Sequence, residues 1–582
     1  MTETARASAA PPDAVRGGRT IANLWRDSVA AGRANPAYLH EVDGEWRELT
    51  WQEAATAVAE LANGLLALGL RKGDAFALLG RTTLEWALFD FALALVGAVG
   101  APIYANSSRR DALYVLGHSD AVGCLVEDEE QREKVAGAGL QHVLSFADLD
   151  SLRARGREFA LEHPGALDAR ADSIDEDDLF TFIYTSGTTG PPKACMIRHR
   201  NYYAMVQKGD ELEERLTKDD DVMLLYLPLA HNYGRLLHLS APYIGYAVAF
   251  LPDPFRSAEE LPRVRPTIFP SVPRVYEKIH AAVLAKLESE TGVKRRLVTW
   301  ALDVGRRVSR LRQQGQPIPR GLAMQHRIAD RLVYSKVKAR LGGRLRVANS
   351  GGAPLSREVA EFFHALDILI IEGYGLSECT TAATVNRHEA FKFGSVGLPL
   401  PGVELQIADD GEILIRSNTI FAGYHNDEAA TREVLDADGW LHTGDIGHID
   451  EDGFLFVTDR KKDIIVTAGG KNIAPQNLEN ELKAAKPISQ ALVIGDSRPY
   501  IAALITVDPE ATAGMTGAAR EAAVQEAVDD VNRDRSRYEQ IKRFAILARD
   551  FSIEEEELTP TLKLKRKVVL DHFAAEVASL YD

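Results

Sequence analysis

The chain has 582 residues, more than one ordinary hydrophobic core can hold, so its length predicts two or more domains. Its composition, 46% hydrophobic and 26% charged, is typical of a globular protein and excludes a largely disordered or membrane-embedded chain. A net charge of -16 argues against general nucleic-acid binding. Three scattered cysteines are too few for a disulfide framework or a zinc site, and they indicate a reducing, cytoplasmic location.

The N-terminal part of the chain is predicted to form a mostly parallel sheet. Residues 1–19 have no apolar core, and we expect a disordered leader there rather than a signal peptide. From about residue 20 to residue 270, helical patterns alternate with short apolar runs, which is typical of βαβ units. The clearest examples are the helical pattern 51–70 and the apolar runs 74–79, 123–126 and 247–251.

The most apolar stretch, residues 86–104, could be taken for a membrane span. It holds Asp90 near its middle and Gly97, Gly100 and Pro102 toward its end. An ionisable residue and several helix breakers disfavour a transmembrane helix, so the sequence predicts a buried helix that leads into a strand.

A strongly basic segment interrupts the acidic chain. Residues 294–346 contain fifteen Lys and Arg against two acids, a charge of +13 that leaves -29 for the remainder. Apolar residues recur there at helical spacing and predict two amphipathic helices broken at Pro317 and Pro319, within a helical insertion of about residues 280–346. A solvated helix face explains this charge as well as two functional interpretations do, an anionic membrane surface or a phosphate-rich ligand.

The C-terminal part changes character twice. After residue 397 the pattern is one of short strands and turns, and after residue 460 a smaller α/β unit is predicted. We therefore expect a large domain over residues 20–459 and a small domain over residues 460–582. The predicted strands are 412–416, 454–458, 463–466, 491–494 and 501–507, and the predicted helix is 516–535.

The strongest chemical motif is the run YTSGTTGPPK, residues 184–193, directly after the apolar run 179–183. Hydroxyls and glycines in a tight turn, closed by Lys193, supply the N–H groups, side-chain donors and cation that a polyphosphate needs. The motif is not a Walker A loop, because Lys193 follows Pro192 and precedes Ala194.

Four further clusters carry chemistry. Each one alone is explained by a strand cap or by surface charge, but together they indicate a nucleotide. One follows an apolar strand, where open α/β sheets bind ligands, and another ends in a carboxylate suited to accept hydrogen bonds from ribose hydroxyls. The clusters are residues 373–378 (GYGLSE), 440–445 (WLHTGD), 459–463 (DRKKD) and 558–566 (LTPTLKLKR).

In order and wording these motifs resemble the acyl-adenylate-forming, or AMP-binding, superfamily of acyl-CoA synthetases, peptide-synthetase adenylation domains and firefly luciferase. The runs 227–231 (LPLAH), 271–277 (SVPRVYE) and 350–354 (SGGAP), with the basic insertion, are most similar to long-chain fatty acyl-CoA synthetases. The resemblance extends from about residue 20 to the end. It implies an α/β fold with a large N-terminal domain of mixed and parallel sheets plus a small distorted barrel, and a small mobile α/β C-terminal domain.

The resemblance also implies roles for individual residues. ATP phosphates would be bound by Thr185, Ser186, Gly187, Thr188, Thr189, Gly190 and Lys193. The adenine would be lined by Gly352, Ala353, Pro354, Tyr374 and Gly375, the ribose held by Asp445 and Arg460, and the phosphates and Mg²⁺ faced by Ser377 and Glu378. The catalytic residues would be Lys565, Glu378 and Lys193, with Lys563 as the rival of Lys565. Lys462 would be the hinge, Gly469, Gly470 and Lys471 the CoA-side loop, and His231, Asn232 and Tyr233 the acyl gate.

The activity implied is ATP-dependent conversion of a long-chain or bulky carboxylic acid to acyl-AMP and pyrophosphate, followed by transfer to CoA. Ala194 and Arg198 depart from the family's phosphate loop, which leaves open an enzyme that performs only the thioester half-reaction. A ligase that loads a carrier protein and a non-catalytic nucleotide- or membrane-binding protein stay open as well. We expect a monomer or homodimer without nucleic-acid partners, in the cytoplasm or at the membrane periphery.

Overall fold

The computed structural model of the chain describes residues 18–185, 191–212, 218–289, 291–469, 471–533, 535–559 and 563–582. Residues 1–17 of the expected leader, residues 186–190 of the phosphate loop and Gly470 of the CoA-side loop therefore lie outside the described residues. The described part is an α/β protein, as the sequence predicts, and its strands form mixed and antiparallel sheets.

Two largely parallel sheets make up most of the chain before residue 400. Sheet A contains, in spatial order, Leu398–Pro399, Thr384–Val385, Ile370–Tyr374, Val347–Ser350, Ile268–Ser271, Val222–Leu225, Ala247–Phe250, Tyr38–Val42 and Glu45–Leu49. Sheet B contains His142–Ser145, Gly123–Val126, Ala75–Gly80, Val99–Tyr104, Leu179–Thr185 and Lys193–Arg198. The last two strands of sheet B are antiparallel, with Thr185 opposite Lys193, so the phosphate-loop motif connects the arms of a hairpin.

Helices cover these sheets where the sequence alternates. They are Ile21–Ala30, Trp51–Ala67, Leu84–Val96, Arg109–His118, Glu129–Val135, Leu149–Glu162, Ala166–Asp172, His199–Asp210, Asn232–Ile244, Ser257–Val264, Pro273–Ser289, Gly292–Gln313, Arg320–Ala329, Ser335–Arg340, Arg357–Ala365 and Glu428–Val434. The helix predicted at 51–70 begins after a capping box, because the Thr50 hydroxyl accepts from the Glu53 N–H while the Glu53 carboxylate accepts from the Thr50 N–H.

The apolar stretch 86–104 forms the predicted helix and strand. Helix Leu84–Val96 is buried over almost its whole length and ends at Gly97, whose φ of +68° is one that other residues rarely adopt. Strand Val99–Tyr104 follows in sheet B. Among the described residues, no helix has both the length and the apolar character needed to cross a bilayer.

The chain after residue 400 forms smaller units. Sheet C is antiparallel and occupies the place of the expected barrel, and sheet D is mixed. The strands of sheet C are Glu404–Ile407, Glu412–Arg416, Leu441–Ile449 and Leu455–Arg460; those of sheet D are Ile488–Ile494, Ile501–Val507 and Ile541–Ile546. The short strands Ile465–Val466 and Asn472–Ile473 pair with each other, and the remaining helices are Pro475–Ala484, Gly517–Asn532, Arg566–His572 and Ala574–Ser579.

The basic segment forms the two predicted helices with the break where the prolines lie. Helix Gly292–Gln313 ends before Pro317, and the next helix begins at Arg320. This second helix passes through a π-helical turn, Asp330–Tyr334, before it continues to Arg340. The sequence pattern does not predict that turn.

A buried ion pair connects helix Asn232–Ile244 to helix Leu84–Val96 inside the large core. Arg235, on the helix that begins at Asn232, donates to both carboxylate oxygens of Asp90, and its Nη1 donates to the Thr181 hydroxyl at 2.6 Å. The side chains of Arg235 and Asp90 are 0% and 1% exposed. Because a charge left alone in such a site is costly, the two residues depend on each other.

We expect Arg235→Met to lower the free energy of unfolding by about 3–5 kcal/mol, since it leaves Asp90 buried without its cation. The double variant Asp90→Leu/Arg235→Met removes both charges and should be more stable than either single variant. Urea unfolding of the four proteins measures this. Additive losses in the double variant would contradict the account.

Candidate active site

A cavity of about 3350 Å³ brings together the carboxyl ends of sheet A, the hairpin of sheet B, sheet C and the C-terminal residues. Open α/β sheets bind ligands at this edge. The predicted site residues that line it are Thr185, Lys193, His231, Asn232, Tyr233, Gly352, Ala353, Pro354, Tyr374, Gly375, Ser377, Glu378, Asp445, Arg460, Lys462 and Lys563.

Glycine is required where two of these loops turn beside the cavity. A Cβ on Gly375 would lie 2.1 Å from the Thr381 carbonyl oxygen, so no side chain fits there. Gly352 has a φ of +82°, which strains any other residue. The loops that follow strands Val347–Ser350 and Ile370–Tyr374 therefore reach the cavity because small residues let the backbone bend.

Asp445 is the centre of a hydrogen-bonded group at one side of the cavity. It lies directly opposite Arg460 in sheet C. The Tyr374 hydroxyl donates to its Oδ2 at 2.6 Å, and Arg460 Nε forms an ion pair with its Oδ1 at 2.8 Å. Burial, and then the Asp445 charge, raises the pKa of Tyr374 well above its usual range, so this phenol stays a donor. A carboxylate has about four acceptor positions, which leaves Asp445 able to accept from a ligand hydroxyl as well.

Glu378 and Lys193 meet through Tyr424, a residue that the motifs do not reveal. The Tyr424 hydroxyl donates to Glu378 Oε1 at 2.6 Å. Lys193 Nζ lies 4.9 Å from the centre of the Tyr424 ring, within cation–π range. Tyr424 lies outside the motifs, and its β-bridge with Cys195 and the bond from the His425 N–H to the Ala194 carbonyl hold it beside strand Lys193–Arg198.

The donor set fits Mg²⁺ bound together with phosphates. The described residues contain no group of three or more His, Cys, Asp or Glu side chains that could hold a metal ion. Mg²⁺ is commonly held by one or two carboxylates and substrate phosphates rather than by a protein cage. Glu378, next to the hairpin ends Thr185 and Lys193, supplies one such carboxylate.

Lys563 reaches the cavity, whereas Lys565 is not among its lining residues in the described part of the chain. Burial, and then the neighbouring charge of Arg460, lowers the pKa of Lys563, while Asp445 and Glu378 oppose that shift. The Lys563 side chain has a large solvent-accessible area because it faces the open cavity. Protein atoms nevertheless surround the charged group, which is why burial lowers its pKa. Lys565 caps the helix Arg566–His572, and its N–H donates to the Glu557 carbonyl at 2.8 Å. This placement favours Lys563 over Lys565 as the catalytic lysine.

The linker after sheet C has two lysines at the cavity, Lys461 and Lys462. Lys462 lines it, and burial, and then Arg460, lowers the pKa of Lys462. Lys461 is held instead by Asp410 and Glu412, at 2.6 and 3.0 Å.

The CoA-side loop lies elsewhere in this arrangement. Neither Gly469 nor Lys471 is among the described lining residues of the cavity. Lys471 Nζ lies 5.5 Å from the centre of the Tyr538 ring, and its carbonyl accepts from the Thr467 N–H at 3.0 Å.

The predicted gate residues begin the helix Asn232–Ile244. His231 caps this helix, because its Nδ1 accepts from the Tyr233 N–H at 3.1 Å. Burial, and then Lys563, lowers the pKa of His231 to about 3, so the ring is neutral. Asn232 accepts from the Tyr202 hydroxyl and donates to the Ser377 carbonyl at 3.4 Å, which ties the gate to the loop that carries Glu378.

Away from these polar groups the cavity continues as an apolar arm. The helices Pro273–Ser289, Gly292–Gln313 and Ser335–Arg340 contribute to its wall. Its apolar lining includes Leu236, Leu261, Val272, Val275, Ile279, Val283, Leu297, Val298, Val333 and Val337. The cavity thus joins a charged end to a long hydrocarbon-lined end.

Among the described residues, neither departure in the phosphate loop has a positive φ or lines the cavity. Ala194 lies in the strand Lys193–Arg198, paired with Tyr184, and it is not among the described residues with positive φ. Arg198 Nη1 lies 3.6 Å from Asp177 Oδ1, and Arg198 is not among the described lining residues. Ala194 therefore does not need a positive φ, and Arg198 lies at Asp177, so the described residues add no support for a thioester-only enzyme.

The fold and the cavity define an α/β protein with a cation-lined ligand site at the carboxyl ends of its strands. Two family models match the chain: the AMP-binding enzyme model over residues 25–425 and the AMP-binding enzyme C-terminal domain model over residues 462–582. The chain belongs to the AMP-binding enzyme family.

Curated relatives and solved structures agree with this membership. The long-chain-fatty-acid–CoA ligase FadD15 of Mycobacterium bovis is 40% identical, covering 96% of this chain and 97% of its own. The peroxisomal long chain acyl-CoA synthetase 6 of Arabidopsis thaliana is 32% identical, covering 92% of this chain and 82% of its own. The crystal structure of the adenylation domain of a carboxylate reductase from Mycobacterium chelonae matches with a TM-score of 0.78 and 24% identity, covering 98% and 93% of the two chains. That last likeness shows the fold.

One carboxyl in the cavity wall predicts that the stability of the folded chain depends on pH. Glu372 is buried in the middle of strand Ile370–Tyr374, and burial raises its pKa from 4.5 to about 8. The Leu355 N–H, which donates to the carboxylate, opposes this shift. Between these pH values the folded chain binds a proton that the unfolded chain has lost, so wild-type stability falls as the pH rises.

We expect the Tm of Glu372→Gln to increase relative to wild type as the pH rises from 4.5 to about 8, because glutamine has no proton to lose. Calorimetry in matched buffers measures the difference. Glu158→Gln, at an exposed helix position, is the control. A Tm difference for Glu372→Gln that does not vary with pH would show that this carboxyl is not perturbed.

Proposed function

We propose that the chain activates a long-chain or bulky carboxylic acid with ATP, forming acyl-AMP and pyrophosphate, and then transfers the acyl group to CoA, releasing AMP. One observation carries the proposal: a single cavity joins the cations and acids of a nucleotide site to an apolar arm. The names of the curated relatives as long-chain-fatty-acid–CoA ligases support the class of acid.

The first step is limited by electrostatic repulsion. A carboxylate must approach the α-phosphate of ATP, and two anions meet only where fixed cations lower the cost. Lys563 lines the cavity together with Asp445 and Glu378, whose charges act on it. We therefore assign Lys563, in place of Lys565, to bridge the carboxylate and the phosphate. Lys193 and the phosphate loop hold the triphosphate, and Asp445 holds the ribose beside Arg460.

Glu378 would hold Mg²⁺, which when bound neutralises phosphate charge. Tyr424 orients the Glu378 carboxylate through its hydroxyl. The apolar arm excludes water from the acyl chain, and the neutral ring of His231 closes its polar end without adding charge.

In the second step, the thiol of CoA must reach the position that Lys563 occupies in this arrangement. We assign residues 460–582 to a small domain that turns about Lys462 and brings Gly469, Gly470 and Lys471 to the cavity. Two facts support the division at residues 459 and 460: sheet C ends at Arg460, and the hydrophobic clusters of the described residues separate between Leu455 and Ile465.

We also propose the acceptor, the oligomeric state and the membrane contact of the enzyme. CoA is the acceptor in preference to a carrier protein, and incubation with each acceptor distinguishes them. The enzyme works as a monomer or homodimer, and residues 294–346 contact an anionic membrane from the cytoplasmic side.

Lys563→Ala should slow acid-dependent pyrophosphate release by about a hundred- to a thousandfold, because it removes the charge that lets two anions meet. The same variant should still convert supplied acyl-AMP and CoA to acyl-CoA. Lys565→Ala is the matched control and should release pyrophosphate at nearly the wild-type rate. The opposite pattern would return the catalytic role to Lys565.

Lys462→Pro should keep pyrophosphate release and lose thioester formation, because proline fixes φ at the point about which the small domain turns. Burst measurements of acyl-AMP and acyl-CoA separate the two steps. Lys461→Pro, one residue earlier, tests whether the effect is specific to Lys462. Normal complete turnover in Lys462→Pro would remove the hinge assignment.

A further inference from the structure

The helix Arg109–His118 presents two rings to the hairpin of sheet B from outside the cavity. Tyr114 and His118 lie four residues apart, a spacing that places two side chains on one helix face. Their rings stack, with centres 5.3 Å apart and an angle of 24° between the planes. Both side chains are half-buried, and neither is among the described lining residues of the cavity. We call Tyr114 and His118 the ring pair.

Each ring of the ring pair contacts a different arm of the hairpin. The Tyr114 hydroxyl donates to the Pro192 carbonyl at 3.0 Å, directly before the second arm begins. His118 Nδ1 lies 3.1 Å from the Tyr184 hydroxyl, one residue before the first arm ends. The ring pair therefore contacts both arms at the end where the phosphate-loop motif connects them.

The backbone before Lys193 depends on its carbonyl groups for hydrogen bonds. Pro191 and Pro192 have no N–H to donate. The Tyr114 phenol supplies a donor that the Pro192 carbonyl accepts. Burial, and then the charge of Asp427, raises the pKa of Tyr114, so the hydroxyl keeps its proton at neutral pH.

The residue next to this hydrogen bond is Lys193. Beyond it the second arm is secured on both sides, because Ala194 pairs with the first arm and its carbonyl accepts from the His425 N–H at 2.9 Å. Lys193 is the first residue of the strand, and its ammonium lies 4.9 Å from the centre of the Tyr424 ring. The position of that ammonium is therefore set by the strand on one side and by the Pro192 carbonyl on the other.

We propose that Tyr114 is a positioning residue for the triphosphate of ATP: by holding the Pro192 carbonyl from behind the hairpin, it keeps the Lys193 ammonium where the triphosphate binds. This inference rests on the proposed function, which assigns the triphosphate to Lys193 and the phosphate loop. A cation that is already fixed binds an anion more tightly than one that must first be ordered. AMP lacks the β- and γ-phosphates, so its binding beside Tyr374 and Asp445 should not depend on Tyr114. A purely structural role for Tyr114 would instead affect both nucleotides alike.

The variant Tyr114→Phe removes one hydroxyl and keeps the ring that stacks on His118. Isothermal titration calorimetry without acid should show that the variant binds ATP about three- to tenfold more weakly than the wild type, the usual effect of one neutral hydrogen bond. AMP should bind with an unchanged Kd. In turnover, the KM for ATP should rise while the KM for the acid and the KM for CoA do not. Supplied acyl-AMP should react with CoA at the wild-type rate, because that step needs no triphosphate.

Tyr500→Phe is the matched control. The Tyr500 hydroxyl also donates to a backbone carbonyl, that of Leu580, at 2.7 Å. Tyr500 is half-buried and is not among the described lining residues of the cavity. The control should bind both nucleotides as the wild type does. Equal ATP binding by wild type and Tyr114→Phe would overturn the proposal, and so would an equal loss of affinity for ATP and AMP, because that would show a general loss of structure.

Nucleotide binding and chemistry separate this proposal from the proposed function. A wild type that binds ATP but forms no acyl-AMP from any acid would refute the function, whereas a selective loss of ATP affinity in Tyr114→Phe would still support the positioning role. Normal acyl-CoA formation by the wild type, with the same Kd for ATP in wild type and Tyr114→Phe, would refute the positioning role and leave the function intact.

Discussion

The arrangement of the site depends on the interactions of one group, the Asp445 carboxylate. It accepts a hydrogen bond from Tyr374, at the end of a strand of sheet A, and forms an ion pair with Arg460, at the end of sheet C. Arg460 in turn adds its charge to the surroundings of Lys563 and Lys462. One buried acid therefore aligns two sheets and the first residues of the C-terminal part around the same cavity. In the proposed function this carboxylate would give the ribose an acceptor, and its ion pair would hold Arg460 in the fixed geometry that electrostatic catalysis requires.

The charge of the chain is arranged locally to serve anionic ligands. An average of -16 conceals a segment of +13 and a remainder of -29. ATP, CoA and a fatty acid are all anions, so an acidic chain must present its cations at particular positions. Lys193 and Lys563 do so at the polar end of the cavity, and Lys294, Lys336 and Arg340 of the basic helices also line it. Burial strengthens these interactions, because screening by water and salt is weaker inside the cavity.

Much of the fold follows from the sequence, because alternating patterns and strong caps act locally. The helix after Thr50, the buried helix around Asp90 and the break at Pro317 all lie where they were expected. The site was less predictable. Tyr424 belongs to no motif, and Arg198 pairs with Asp177 and is not among the described lining residues of the cavity. Choosing between Lys563 and Lys565 requires knowing which of two nearby side chains faces the cavity, and the spacing of residues in the chain does not determine that.

The most direct test of the account is the fate of the carboxylate oxygen. The enzyme is incubated with ATP, CoA and a long-chain acid whose carboxylate carries heavy oxygen, and the products are analysed by mass spectrometry. If the carboxylate attacks the α-phosphate in the cavity around Asp445, one labelled oxygen appears in AMP for each acyl-CoA formed. Label in inorganic phosphate with ADP as the nucleotide product, or acyl-CoA formed with unlabelled AMP, would contradict the account.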